Sequence, residues 1–365
     1  MKKICIMTAA RSEYGYLKWI MKDILDDKDL ELQTIITGGH LSYDQGHTID
    51  VIIEDGIPIT RIVDAKVDNS SEKSICETMA RLLDGFSVVL TELNPDCLVV
   101  LGDRYELLPI CSAAFMLKIP IVHLSGGDIT EGALDDGIRN AVTMLAEYHF
   151  PGTEASAKNI IRMRNNKKNV YTVGEPSLDL FNRVKLMSRD EIAENLNISV
   201  QKKWVLCTLH SETKESILYN LDMAKNLVLA LKELGDDYQI VITKANTDFG
   251  GKEINDYIAE NKPDNVLIVP SLGQLRYLSF MKQVELVIGN SSSGIVETPI
   301  LNIPTINIGN RQKGRYQCEN IYQTDTSFIS IRNAIKRLKK KDISDWNYWG
   351  TGNTSKKIVE ILKGL

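Results

Sequence analysis

Short apolar runs alternate with longer amphipathic segments along the whole chain, and this alternation is the strongest constraint on the fold. Such runs predict buried strands, and the segments between them have the length and period of helices. Parallel strands need crossover helices, so both halves predict parallel-sheet βαβ domains. The predicted strands are Ile4–Thr8, Leu32–Thr37, Cys97–Leu101, Ile119–Leu124 and Val170–Val173, then Trp204–Leu209, Ile240–Thr243, Val266–Val269, Leu286–Ile288 and Thr305–Ile308.

The length of 365 residues predicts two domains, and the natural seam is Gly174-Glu175-Pro176-Ser177. We expect a first domain over 1–174 and a second over 175–352, with the amphipathic end 353–365 packing back on the first. The predicted fold class is therefore α/β, with two Rossmann-like parallel-sheet domains facing across a cleft. Ligands of such folds bind outside the carboxyl ends of the strands. The helices predicted in the first half are Tyr14–Leu25, Ser74–Leu93, Glu106–Leu117 and Asp136–Ala146.

Charge and composition narrow the class of protein. The net charge of −5 leaves no basic surplus for a nucleic acid or an anionic membrane surface. The six cysteines form no C-x-x-C pair, which indicates reduced residues in a core. No signal peptide and no apolar run of about 18 residues is present, so we expect a cytoplasmic enzyme.

A glycine- and serine-rich turn follows the predicted strand Leu286–Ile288. Small residues there let a ligand phosphate approach backbone N–H groups and the positive end of a helix dipole. Glu297 can accept hydrogen bonds from ribose hydroxyls, and Arg311 can supply a fork for a diphosphate. This predicts a nucleotide-diphosphate site in the second half, and the alternative is an ordinary strand-to-helix turn. The turn residues predicted to bind are Ser291, Ser292, Ser293 and Gly294.

Polar residues also follow the other predicted strands. Each has a structural alternative, because aspartates cap helices or occupy their first turns and a single histidine can be a core residue. Their shared position at strand-to-helix junctions favours a functional site. Neither a metal-ligand spacing nor a phosphate-loop or dinucleotide fingerprint is present. The candidates are Arg11, Asp103, Arg104, Asp128, Asp135, Asp136, Arg139 and His210.

With these motifs in this order, the chain resembles the hydrolysing branch of the UDP-N-acetylglucosamine 2-epimerases, which feeds the synthesis of sialic and related nonulosonic acids. The resemblance runs along nearly the whole length. The motifs that carry it are Arg11-Ser12-Glu13-Tyr14-Gly15, Gly102-Asp103-Arg104-Tyr105-Glu106, Gly126-Gly127-Asp128 with Asp135-Asp136-x-x-Arg139, His210-Ser211-Glu212-Thr213, Gly289-Asn290-Ser291-Ser292-Ser293-Gly294 with Glu297, and Arg311-Gln312-Lys313-Gly314-Arg315.

The resemblance implies the two-domain fold of the GT-B glycosyltransferases and a set of roles. Asp103, Asp135, His210 and Asp128 would be catalytic, and no metal or cofactor would be needed. The partners would be a UDP-sugar substrate, the UDP product and further copies of the chain in a homodimer or homotetramer. Residues that would hold the substrate are Arg11, Arg104, Asp136, Arg139, Ser291, Ser292, Ser293, Gly294, Glu297 and Arg311.

Two positions depart from the family pattern. Ser125 stands before Gly126-Gly127, where relatives often carry a glutamate or a histidine that takes part in proton chemistry. Serine is a poor base, so that role would pass to Asp128, Asp103 or Asp135. Tyr16 stands near the start of the first helix, where the non-hydrolysing branch has a lysine, which favours the hydrolysing branch.

The implied reaction explains a site rich in carboxylates. The C2 hydrogen of an N-acetylhexosamine is not next to a carbonyl, so it becomes acidic only as the C1–O bond to UDP breaks. Cations and N–H groups must stabilise the departing diphosphate, and carboxylates must move the proton. Water then adds to the glycal intermediate, so UDP-N-acetylglucosamine would yield UDP and N-acetylmannosamine.

Three alternatives remain open at this stage. The same reaction could act on a UDP-linked 2,4-diacetamido-2,4,6-trideoxyglucose, on the route to legionaminic acid. The fold could also serve a GT-B glycosyltransferase, which would not release UDP without an acceptor. A nucleotide-sugar-binding regulator without catalysis is the third, although the full set of candidate residues argues against it.

Overall fold

Two six-stranded parallel sheets form the core of the computed structural model, which describes residues 1–42, 47–131, 134–246 and 248–365. The chain divides into two compact units. The first comprises Met1–Asp128, Asp135–Asn182 and Trp349–Leu365, and the second comprises Ile129–Leu134 and Arg183–Tyr348. None of the helices in the described ranges is long and apolar enough to cross a membrane.

The first unit has the strand order β3-β2-β1-β4-β5-β6, with every pair parallel. This is the order of a Rossmann fold, in which the direction of winding reverses between β1 and β4. Its elements are β1 (Lys2–Thr8), α1 (Arg11–Leu25), β2 (Leu30–Thr37), α2 (Ile49–Glu54), β3 (Arg61–Val63), α3 (Glu72–Leu93), β4 (Cys97–Leu101), α4 (Leu107–Met116), β5 (Ile121–Leu124), α5 (Asp135–Leu145), β6 (Tyr148–Phe150), α6 (Glu154–Arg164) and, across the boundary, α7 (Leu180–Arg183).

The second unit repeats this order as β12-β11-β10-β7-β8-β9 and reverses its winding between β7 and β10. The predicted fold class, with two Rossmann-like parallel-sheet domains, is confirmed. The elements are α8 (Arg189–Leu196), β7 (Lys203–Thr208), α9 (Ile217–Lys232), β8 (Tyr238–Thr243), α10 (Gly251–Asn261), β9 (Val266–Val269), α11 (Gly273–Met281), β10 (Leu286–Gly289), α12 (Ser293–Val296), α13 (Thr298–Leu301), β11 (Thr305–Ile308), β12 (Ile321–Thr324) and α14 (Phe328–Arg337), and α15 (Thr354–Gly364) returns to the first unit.

Successive residues of β1 face opposite sides of the first sheet, as the two-residue period of a strand requires. Ile4 and Ile6 pack in the apolar cluster that includes residues of α1 and α15. Cys5 and Met7 pack in the other cluster, with residues of α3 and α4. The sheet is therefore covered on both faces, which explains why its central strands are continuously apolar.

The C-terminal helix α15 is fixed to the first unit by a buried carboxylate. Asp179 accepts hydrogen bonds from the backbone N–H groups of Thr354 at 2.7 Å and Ser355 at 2.6 Å. These N–H groups lie at the start of α15, where no intrahelical acceptor exists. The contact keeps the 3₁₀ turn Pro176–Asp179 in the first unit, so the boundary lies after residue 182 rather than after 174.

The short segment Ile129–Leu134 belongs to the second unit, although the sequence placed it inside the first domain. The Glu131 N–H group donates to the Lys313 carbonyl at 3.0 Å, and the Glu131 carboxylate pairs with the Lys313 ammonium at 2.8 Å. Lys214 Nζ donates to the Glu131 carbonyl at 2.5 Å. The alternation of strands in the sequence gives no sign that this segment belongs to the second unit.

The predicted strand Val170–Val173 is wrong, and β6 occupies that edge of the sheet. Residues 169–173 follow β6 through one isolated bridge between His149 and Val170. The Val173 N–H group donates to the Pro151 carbonyl, and since proline has no N–H group to return, the ladder stops there. Edge strands β3 and β12 were also missed, because they are short and carry exposed polar residues.

Three buried histidines make the stability of the first unit depend on pH. Burial lowers the pKa of His40 and of His123 to about 4 and that of His149 to about 3. His123 Nε2 donates to the Gly102 carbonyl at 2.8 Å, and His40 lies between the hydroxyls of Thr8 and Thr48. Burial raises the pKa of Glu13 to about 7, which has the opposite effect on stability.

We predict that the free energy of unfolding falls as the pH is lowered from 6.5 toward 4. In this range the unfolded histidines, with a pKa of 6.5, bind protons that the folded ones do not. Each histidine then costs up to about 1.4 kcal/mol per pH unit. His149→Leu removes one of them. The free energy of unfolding, measured by urea titration at pH 7, 6 and 5, should therefore change less with pH for this variant than for the parent. An equal dependence on pH in the variant and the parent would contradict the account.

Candidate functional site

In the second unit, the winding reversal brings the carboxyl ends of β7 and β10 together. A cavity at this edge is lined by residues of both strand ends and of α11, namely Thr208, Tyr277, Gly289, Ser291 and Gly294. Ligands of open parallel sheets bind at such a reversal. The predicted nucleotide turn therefore lies at the expected place in the topology.

Gly289 allows the two strands to end in close contact. Its φ is +140°, and a Cβ at this position would clash with the carbonyl oxygen of Thr208. The next residue, Asn290, donates its N–H group to the same carbonyl at 3.1 Å. A side chain at position 289 would push β10 away from β7 and open the turn that follows.

The helix after this turn is short. α12 spans only Ser293–Val296, and Pro299 in the first turn of α13 cannot continue its hydrogen bonding. Glu297 therefore lies between two short helices, as the C-cap of one and the N-cap of the next. A helix of one turn has a small dipole, so the local N–H groups and hydroxyls of the turn contribute most of the polarity here. The Glu297 side chain is only 2% exposed.

His210 is held as a neutral hydrogen-bond donor. Its Nδ1 accepts the backbone N–H group of Asn246 at 3.1 Å, so the ring proton is on Nε2. Burial and the nearby Arg311 lower the pKa of His210 to about 3. Because Nδ1 accepts a backbone N–H group, the neutral imidazole can donate from Nε2 to an anionic oxygen. The lowered pKa keeps the ring uncharged at neutral pH.

Asn290 stands in one of the motifs noted in the sequence, but no role was predicted for it. Its amide pairs with the backbone of His210 in both directions, at 2.7 and 2.8 Å. The backbone carbonyl of Asn290 accepts hydrogen bonds from Gln312 Nε2 at 2.9 Å and from Arg311 Nη1 at 3.4 Å. Asn290 thus joins the ends of β7, β10 and β11. A buried asparagine directly after an apolar strand was the available signal.

Glu212 fixes the loop that carries Arg311. It accepts the Asn310 N–H group at 2.6 Å and is 1% exposed. Gly309 has a φ of +71°, and a Cβ there would clash with the Glu212 carboxylate. Burial raises the pKa of Glu212, although the hydrogen bonds from Asn310 and Arg311 oppose this shift. This buried network, rather than a helix, fixes the backbone that carries Arg311.

In the first unit, Arg139 collects several of the predicted site residues. Its guanidinium is 1% exposed and forms an ion pair with Asp103, which follows β4. It also donates to the Asp128 carbonyl at 2.9 Å and lies 3.4 Å from Asp136 Oδ1. Burial alone would lower the pKa of Arg139, but Asp103, Asp128 and Asp136 outweigh it and raise the pKa. The buried guanidinium therefore orients the Asp103 carboxylate.

The remaining predicted residues of this unit have distinct surroundings. The Asp128 carboxylate accepts from Ser156 Oγ at 2.6 Å and is 7% exposed. Arg104 pairs with buried Glu106 at 3.0 Å and lies 3.7 Å from Glu13. Arg11 begins α1 with an exposed side chain, and Asp135 begins α5 half-buried.

Within each unit, the candidates lie at the carboxyl ends of neighbouring strands. Nucleotide candidates His210, Ser291 and Arg311 belong to the second unit, whereas Asp103 and Asp135 belong to the first. Among residues 1–42, 47–131, 134–246 and 248–365, no group of three or more histidine, cysteine, aspartate or glutamate side chains is arranged to hold a metal ion.

Comparison with known proteins gives concordant matches. The family model described as UDP-N-acetylglucosamine 2-epimerase matches residues 22–363. The GDP/UDP-N,N'-diacetylbacillosamine 2-epimerase (hydrolyzing) of Campylobacter jejuni is 34% identical over 346 residues, 93% of this chain and 88% of that protein. The UDP-N,N'-diacetylbacillosamine 2-epimerase (hydrolyzing) of Legionella pneumophila is 31% identical, over 100% of this chain and 96% of that protein.

A solved structure shares the fold over its full length. The crystal structure of UDP-GlcNAc 2-epimerase from Neisseria meningitidis bound to UDP-GlcNAc has a TM-score of 0.83. It covers 100% of both chains at 19% identity, a level that supports the fold alone.

We predict that Glu297→Ala weakens binding of UDP by about tenfold or more. Loss of a buried charged acceptor typically costs ~1.5–3 kcal/mol. Glu285→Ala is the matched control, because Glu285 is exposed and precedes β10 at the opposite end of the strand. Calorimetric titration with UDP should separate the two variants. Equal affinities would remove Glu297 from the nucleotide site.

Proposed function

The chain belongs to the hydrolysing branch of the UDP-N-acetylglucosamine 2-epimerase family, and from this premise we propose that its substrate is UDP-N,N'-diacetylbacillosamine. This compound is the UDP-linked 2,4-diacetamido-2,4,6-trideoxyglucose considered above as an alternative sugar. Two relatives above 30% identity carry that substrate in their names. UDP-N-acetylglucosamine, with N-acetylmannosamine as its product, is the second candidate substrate.

In this proposal the second unit binds the nucleotide. The Nε2–H group of neutral His210 and the guanidinium of Arg311 hold the diphosphate, and the turn Ser291–Gly294 contributes N–H groups and hydroxyls. Glu297 accepts hydrogen bonds from the ribose. Donors placed beforehand on a leaving group stabilise the charge that develops as the C1–O bond breaks. The observation that carries this assignment is the tautomer of His210, which places its proton on Nε2.

The first unit supplies the acid–base groups. The Asp103 carboxylate, oriented by buried Arg139, removes the C2 proton as UDP departs and the C1–C2 double bond forms. Asp135, Asp136 and Asp128 lie on the same loop and helix and complete the set of carboxylates. Water then adds to C1 of the glycal, and a proton returns to C2 on the other face. The products are UDP and the free 2-epimer.

The substrate assignment is tested by measuring kcat/KM for three compounds, namely UDP-N,N'-diacetylbacillosamine, its GDP analogue and UDP-N-acetylglucosamine. We expect at least a tenfold preference for the first UDP-sugar over UDP-N-acetylglucosamine, because a site that hydrogen-bonds the C4 acetamido group discriminates strongly against a sugar without it. The value for the GDP analogue shows how strictly the enzyme selects uracil as the nucleotide base. A preference for UDP-N-acetylglucosamine would favour the second candidate. If UDP is released from neither UDP-sugar, the assignment as a hydrolysing 2-epimerase is contradicted.

We predict that Asp103→Asn lowers turnover by about 10²–10⁴-fold, the usual contribution of a positioned base. UDP affinity should change little, because Asp103 addresses the sugar. Asp96→Asn is the matched control, since Asp96 directly precedes β4, at the opposite end of the strand from Asp103, and its carboxylate accepts the Lys3 N–H group at 2.7 Å. The same measurement on Asp135→Asn compares the two candidates. Near-normal turnover in both site variants would move the base to Asp128 or Asp136.

A further inference from the structure

Ser125, the position that departs from the family pattern, is backed by a carboxylate. Ser125 directly follows β5, and its hydroxyl donates to Glu175 Oε2 at 2.9 Å. The two residues are 50 positions apart in the chain, and no motif links them. Glu175 belongs to the segment Gly174–Ser177, which the sequence marked only as a domain seam.

The surrounding backbone is built to hold the Glu175 carboxylate. Glu175 is 9% exposed, and its N–H group donates to the Trp349 carbonyl at 2.8 Å. Gly152 follows β6, and a Cβ there would clash with Glu175 Oε1. The carboxylate therefore occupies a space that only a glycine leaves open. It lies at the carboxyl ends of β5 and β6.

The backbone of Ser125 adds an independent observation. Its φ is +55°, in the left-handed region that glycine or asparagine adopts at lower cost than serine. Gly126 and Gly127 stand directly after it, so a third glycine would suit the turn. Serine is strained in this conformation, but unlike glycine it supplies a hydroxyl that forms a hydrogen bond with Glu175.

Ser125 and Asp103 lie at neighbouring strand ends. The Gly102 N–H group donates to the Leu124 carbonyl at 3.1 Å, and His123 Nε2 donates to the Gly102 carbonyl at 2.8 Å. Both bonds tie the residue before Asp103 to β5, the strand that Ser125 follows. The Ser125 hydroxyl is therefore at the same sheet edge as the proposed base. Ser125 is half-exposed, whereas Glu175 is buried.

Epimerisation at C2 requires two proton-transfer groups, because the proton leaves one face of the sugar and returns to the other. We propose that Ser125 and Glu175 form the second of these groups, which returns the proton to C2 in the hydration step. This inference rests on the proposed function. Asp128 is a weaker candidate, because its carboxylate already accepts the Ser156 hydroxyl at 2.6 Å within the cap of α6.

The step balances as follows. When Glu175 is protonated, its carboxyl group donates along the same 2.9 Å contact to Ser125 Oγ, and the Ser125 O–H group is free to turn toward C2. The Oγ–H bond of Ser125 then breaks as the C2–H bond forms, and the Glu175 proton moves to Oγ. Water bonds to the electron-poor C1 and releases a proton to solvent, from which the Glu175 carboxylate is protonated again. Ser125 is then a catalytic residue, and Glu175 is a positioning residue that refills it.

Two variants test the pair in the full-length protein. Glu175→Gln keeps the size and the acceptor for Ser125 but carries no transferable proton. Ser125→Gly removes the hydroxyl and also relieves the left-handed backbone, so it is expected to fold at least as well as the parent. Glu154→Gln is the matched control, because Glu154 is an exposed carboxylate in the first turn of α6. UDP affinity and the thermal midpoint check that each variant is folded.

The measurement is a proton NMR time course with UDP-N,N'-diacetylbacillosamine, which resolves UDP, the glycal through its vinyl proton, and the free 2-epimer. For both variants we expect 2-epimer formation to fall by about 10²–10³-fold. UDP release should fall by less than about tenfold, so the glycal accumulates. Ser125→Asp in the Glu175→Gln background returns a carboxyl group to the strand end and should recover at least tenfold of the lost hydration rate.

The outcomes separate this inference from the proposed function. An active parent whose folded variants keep the parental ratio of 2-epimer to glycal would overturn the role of the pair and leave the enzyme assignment intact. Equal losses of UDP release and hydration would also overturn it, because they indicate a structural role. A parent that releases no UDP from either UDP-sugar would contradict both.

Discussion

Parallel strand pairing is the constraint on which the rest of the structure depends. It places the carboxyl ends of all strands of a unit at one edge and covers both faces with helices. The candidate site residues then lie at that edge, since the interior positions of β1, β4, β7 and β10 are buried. Asp103 and Ser125 in one unit, and His210 and Asn290 in the other, all follow such strand ends.

The two units orient their polar groups by different means. In the first, a buried cation serves several carboxylate and carbonyl oxygens, and removing one partner of such an arrangement usually costs about 3–5 kcal/mol. In the second, the network is mostly neutral, with Asn290 and the backbone fixing His210 and Arg311. Neutral donors together with the Arg311 guanidinium suit an anionic diphosphate, and a set of carboxylates held by a cation suits proton transfer.

The sequence predicted the parts of this fold that depend on local pattern. Central strands such as β4 and β11 have the predicted bounds, because buried apolar runs are unambiguous. Edge strands β3 and β12 were missed since they are short and half-exposed, and Val170–Val173 was overpredicted because its apolar residues pack without a ladder. The role proposed for Glu175 could not be predicted from the sequence, because it depends on a contact with Ser125 that forms only in the tertiary structure.

The central claim is that the sugar leaves UDP by cleavage of its C1–O bond, followed by addition of water to C1. Turnover of UDP-N,N'-diacetylbacillosamine in water enriched in oxygen-18 tests this most directly, with mass spectrometry of both products. The account predicts that the label enters the free 2-epimer and that UDP carries none, since UDP keeps the oxygen that once joined it to the sugar. Label in UDP would show that water attacks phosphorus, and the elimination mechanism would then be wrong.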